Sequence, residues 1–89
     1  MEKFKNHRFA KVKPEFQHQE IKWVRMVIRN NGIGVLLYDD INSRCLYDDW
    51  YETLELAKEG VNRVYGIEDS DWKTAEDIIK LGFEITDES

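Results

Sequence analysis

Cysteine occurs once, at Cys45, and proline once, at Pro14, in a chain of 89 residues. A lone thiol cannot close an intramolecular disulfide, so the fold does not rest on the cross-linked frameworks of extracellular domains, and a cytoplasmic setting is expected. Histidine is scarce too: His7 and His18, taken with Cys45, offer no short ligand spacing of the kind a zinc site needs. Both lie in the polar opening stretch, where a solvated imidazole is the default reading. Long hydrophobic runs are missing. The most apolar stretch, Ile33 to Tyr38, is far shorter than the ~20 residues of a membrane-spanning helix and reads as a buried strand. The opening Met1 to Pro14 contains no apolar stretch that could form a signal core, so export is not expected. Repeats, low-complexity tracts and Gly/Ser linkers are also lacking.

What is present describes a folded unit. Hydrophobic residues make up 42% of the chain, with three Trp, four Tyr and four Phe, and the formal charge is −5. Surface scaling gives about 15,000 Å² exposed by the unfolded chain and about 5,500 Å² after folding, enough burial for one core. A single domain over residues 1–89 is expected, with the first nineteen residues more loosely held.

The periodicities predict an α+β fold: a three- or four-stranded antiparallel β-meander followed by two α-helices packed on one face. Arg8 to Lys13 alternates weakly and reads as an edge strand, closed off by Pro14. Ile21 to Asn30 is rich in β-branched and aromatic residues, with Val24, Met26 and Ile28 on one face and Ile21, Trp23, Arg25, Val27 and Arg29 on the other. Asn31-Gly32 suits a type I′ turn, Ile33 to Asp39 returns, and a third, shorter strand is expected from Arg44 to Tyr47 or a little beyond. Thr53 is the candidate cap of a helix whose stripe is Leu54, Ala57, Val61, Val64 and Tyr65, stopped at Gly66. Gly60 weakens that helix intrinsically, which suggests a strand lying close against it. Asp69 or Ser70 is the expected cap of a second helix carrying Trp72, Ala75, Ile78, Ile79 and Leu81, with Gly82 as its stop.

The residues Leu37-Tyr38-Asp39, Asp49-Trp50-Tyr51 before Thr53-Leu54, Ala57-Lys58, Tyr65-Gly66-Ile67 and Asp71-Trp72 form a pattern that resembles small acidic uncharacterised bacterial proteins. The resemblance spans Ile21 to Trp72 and implies a bacterial cytoplasmic protein with no catalytic residues to carry over. In size and acidity the chain also resembles immunity-type proteins that pair with bacterial toxins.

A search for chemistry returns little. Asp39-Asp40 and Asp48-Asp49 flank the third strand and could present oxygens to a hard cation, but Asp also serves turns by bonding nearby amides, and the turn reading is preferred. Asp69 to Thr74 starts like a calcium loop, then places Lys73 at a ligand position and Thr74 where glycine is required. Gly32-Ile33-Gly34 starts like a dinucleotide fingerprint, but Leu37 occupies the third glycine position and a strand follows. No serine has a neighbouring base. No catalytic residue, metal site or cofactor is therefore assigned, and a non-enzymatic protein is expected. Trp23, Trp50 and Trp72 with Tyr47 and Tyr51 form either a binding platform or, the preferred reading, core and core edge. Cys45 reads as a small packed group on the third strand.

The strongest signal is electrostatic. Through Arg29 the chain has eight Lys or Arg against three Asp or Glu; from Asn30 onward it has five against fifteen. The acidic half should attract a basic partner protein and repel nucleic acid, with Glu52, Glu55, Glu59, Glu76 and Asp77 as candidate partner-binding residues on the helices. The alternative is nucleic-acid contact through Lys3, Lys5, Arg8, Lys11, Lys13, Arg25 and Arg29. The basic opening could instead neutralise the acidic half within the fold or across a homodimer. A double-stranded-RNA-binding domain is disfavoured because Glu52, Glu55 and Glu59 stand where that module carries Lys.

Overall fold

The computed structural model describes residues 4–17 and 20–85. Four strands, β1 (His7–Lys11), β2 (Trp23–Arg29), β3 (Gly32–Tyr38) and β4 (Tyr47–Tyr51), form one antiparallel sheet in the order β1-β2-β3-β4. Two helices follow, α1 (Leu54–Tyr65) and α2 (Ala75–Lys80), with short 3-10 turns at Pro14–Phe16 and Asp69–Asp71. The α+β class and the antiparallel meander are as the periodicity indicated. The exposed surface is 5686 Å², close to the scaling expectation.

Both faces of the sheet carry a buried cluster, and this sets the helix positions. On one face Ala10, Val24, Met26, Val35 and Leu37 cluster with Ala57, Val61 and Tyr65 of α1. On the other, Phe9, Trp23 and Tyr38 cluster with Ala75 and Ile78 of α2, together with Phe4 and Ile41. Because successive strand residues alternate faces, these registers place α1 and α2 on opposite sides of the sheet, where a shared face was expected. The physical reason lies in β2 and β3, which carry apolar residues on both faces, so a one-sided cover would leave Trp23, Val27 and Tyr38 in water. The chain changes sides around the β1 edge. There Lys73 bridges to Phe9, with Phe9 N donating to Lys73 O at 2.9 Å and Lys73 N to Phe9 O at 2.7 Å.

Local corrections have local causes. The hairpin pairs Arg29 with Gly32, so Asn30 and Asn31 form the loop. Glu20 is the only non-glycine with positive φ among the described residues, which excludes the type I′ form. The positive φ falls on Gly32 instead, at 149°, where a side chain would also run into the Trp50 ring. The strand expected at Arg44 to Tyr47 begins at Tyr47, because the preceding loop turns inward to bury Ile41 and half-bury Cys45; Cys45 therefore precedes the strand. α1 starts as read, with Thr53 Oγ1 accepting from Leu56 N at 3.2 Å, and Gly66 ends it at φ 68°. Asp69 and Ser70 lie in the 3-10 turn, and Thr74 caps α2 through a reciprocal box with Asp77; Trp72 therefore lies before that helix. Tyr51 is the strand residue pressed against Gly60: a Cβ there would stand 2.5 Å from the Tyr51 hydroxyl.

Candidate partner-binding surface

The sequence-derived acidic set does not form one patch. Glu52, Glu55 and Glu59 lie at or on α1, while Glu76 and Asp77 lie on α2 across the sheet; all five are exposed. Several of them have work within the fold. Glu59 pairs with Arg63 at 2.9 Å, and Asp77 accepts from Thr74 N at 3.1 Å. That bond from Thr74 is the main reason the Asp77 carboxyl sits below its usual range.

The basic set is also dispersed. Lys3 lies outside the described residues. Arg25 is buried, 1% exposed, with Nε donating to His7 Nδ1 at 2.9 Å and Nη1 to the Tyr38 hydroxyl at 3.2 Å. Its guanidinium lies 5.3 Å and 5.2 Å from the Phe4 and Phe9 ring centres. It is a core group and cannot reach a phosphate, and His7, expected in solvent, is buried with it. Lys13 turns to the acidic half, reaching Gly66 O at 3.1 Å, Glu68 Oε1 at 3.3 Å and Asp71 Oδ2 at 3.6 Å. The Glu68 bond is the leading cause of its raised pKa, so part of the basic opening does neutralise the acidic half within the fold. Arg8 donates to Lys5 O and His7 O, each at 2.8 Å. Lys5, Lys11 and Arg29 remain exposed.

The carboxylate pairs do not converge. Asp40 Oδ1 accepts from Asn42 N at 2.9 Å, as a turn aspartate does. Among the described residues no three His, Cys, Asp or Glu side chains gather as a metal ion would require, and no helix is long and apolar enough to cross a membrane.

The tryptophans separate as well. Trp23 is buried against α2's cluster and Trp72 is half-buried against α1's, whereas Trp50 and Tyr47 stay open at 47% and 56% exposure. Both open aromatics belong to β4. This strand pairs with β3 alone, and among the described residues no backbone hydrogen bond joins its outer side to another element. It is thus a free sheet edge, in contrast to β1, which Lys73 partly covers. Along β4, Asp48 and Trp50 share α2's side of the sheet, and Tyr47, Asp49 and Tyr51 share α1's. Burial and, secondarily, the nearby Asp49 carboxylate hold the Tyr65 hydroxyl above its usual pKa.

Beside Trp50 the sheet is hollow. Gly32 and Gly34 occupy alternate positions of β3 on that side, so β3 sends no side chain up between Val27 and Arg29 on β2 and Trp50 on β4. The result is a trough of about 360 Å³ lined by Val27, Arg29, Gly34, Leu36, Asp48, Asp49 and Trp50. The Trp50 ring lies on Gly32, and Arg29 Nη1 is 3.6 Å from where a Gly34 Cβ would be. Sequence reasoning treated Gly32 as a turn residue and Gly32-Ile33-Gly34 as a failed nucleotide motif. The signal it overlooked is that two glycines two apart on a strand bare one face of it. No family model, curated protein or solved structure matches the chain.

Proposed function

We propose that this protein is a non-enzymatic interaction module that holds a basic protein partner along β4 and the start of α1. Asp48, Asp49, Glu52 and Glu55 supply the charge, and Tyr47 and Trp50 supply apolar contact. The observation that carries this reading is the free β4 edge, where two adjacent exposed carboxylates lie between the open aromatics Tyr47 and Trp50. Aromatic anchors beside charge are the usual make-up of a binding hot spot, and acidic potential speeds encounter with a cationic partner. Glu59, Glu76 and Asp77 drop out of the site, since they are bonded locally or face the other side.

Capture of proteins from the native cell at low and high salt tests the reading. Asp48→Lys with Asp49→Lys should abolish salt-sensitive capture, whereas Glu76→Lys should leave it intact. Equal capture by all forms overturns the proposal, and a nucleic-acid shift with a steep salt slope would replace it with phosphate binding.

A further inference from the structure

Resting on that reading, we infer that the partner segment joins the sheet as a fifth strand against β4, and that it is an extended segment carrying two consecutive basic residues between β-branched or apolar ones. Asp48 and Asp49 are neighbours on a strand and so project to opposite sides of the sheet. One partner segment can meet both carboxylates only if its own adjacent residues also diverge to opposite sides. An extended strand does this; a helix turns adjacent residues through about 100° and presents a single stripe.

The flanking positions agree. In an antiparallel partner, the residue opposite Trp50 lies on the side of the trough, with the exposed indole beside it, and the residue opposite Tyr47 lies on α1's side beside that exposed ring. Arg29, which extends over Gly34 in the trough, disfavours a cation opposite Trp50 and places the two basic residues opposite Asp49 and Asp48. The backbone supplies the rest of the recognition, since β4's outer amides and carbonyls form a ready ladder.

The same carboxylates reject a second copy of this chain. Antiparallel pairing of two β4 strands centred on Asp49 sets Asp49 against Asp49, and a shift of one residue sets Asp48 against Asp49. Like charges directly opposite one another are destabilising.

The test uses the whole protein and the peptide acetyl-Thr-Thr-Val-Lys-Lys-Val-Thr-amide, followed by fluorescence anisotropy at low salt. Two further versions carry N-methyl groups on alternate residues, one for each edge of the peptide. Methylation preserves every charge but removes ladder donors and obstructs that edge. We expect the parent to bind, one methylated version to bind at least tenfold more weakly, and the other to match the parent. Equal binding of all three overturns strand addition and leaves charge-driven adhesion to the acidic surface standing. No binding of the parent overturns the inference alone if salt-sensitive capture by Asp48 and Asp49 persists, and falls together with the functional reading if that capture is also absent. A dimer of the unliganded protein that Asp49→Lys dissociates would make a second copy the occupant and overturn the inference as well.

Discussion

Gly60 and Tyr51 show how a single atom reverses a propensity. In an exposed helix, Gly→Ala gains up to ~1 kcal/mol, but here the added Cβ would stand 2.5 Å from the Tyr51 hydroxyl. Gly60→Ala should therefore lower stability by about 1–3 kcal/mol, the usual range for overpacking. A lower urea midpoint with an unchanged slope would show it, and adding Tyr51→Phe should recover part of the loss. The approach was legible beforehand, because a glycine inside an otherwise well-formed stripe calls for a close neighbour. Arg25 was half legible: its alternation with Trp23 and Val27 put it on a second apolar face, yet its charge placed it among the candidate phosphate contacts. Its bonds to His7 and Tyr38 need a planar fork. Arg25→Lys, though it keeps the charge, should cost about 2 kcal/mol or more in urea denaturation.

The elements succeed or fail as predictions according to how local their signals are. Thr53 and Gly66 delimit α1 by capping chemistry written within a few residues, and both ends were found. α2 was placed too early because Asp69 and Ser70 look like caps; the box that starts it, Thr74 with Asp77 three residues on, was equally visible but competed with them. Asp77 titrates lower in the folded protein than its ordinary 3.8. Its contribution is therefore fully present above that value and is lost as pH falls through the lower folded value. α2 should loosen in acid before α1 does, as amide exchange would show, and Asp77→Asn should remove the difference between neutral and acidic pH at that helix. The start of β4 was beyond local signals, since it depends on Ile41 reaching a cluster built from β2, β3 and α2.

For the whole molecule, charge segregation was legible in the sequence and charge placement was not. The acidic half divides between two faces because the sheet demanded cover on both, and no count of charges along the chain could reveal that. What remains concentrated is the β4 edge, where on the proposed reading Asp48 and Asp49 both attract basic strands and repel copies. Asp48→Asn with Asp49→Asn removes the repulsion while keeping size and shape. That variant should form a concentration-dependent dimer in sedimentation, whereas the parent stays a monomer; monomers in both cases would show that the carboxylates do not guard the edge.

The pairing of Lys73 with Phe9 bears on growth of any assembly. A sheet with two bare rims can add neighbours end over end without limit, as fibrils do. Here one rim is partly covered by the molecule's own returning chain at Phe9, so an arriving strand finds its one uncovered edge at β4, and accretion through the far side of the sheet is obstructed.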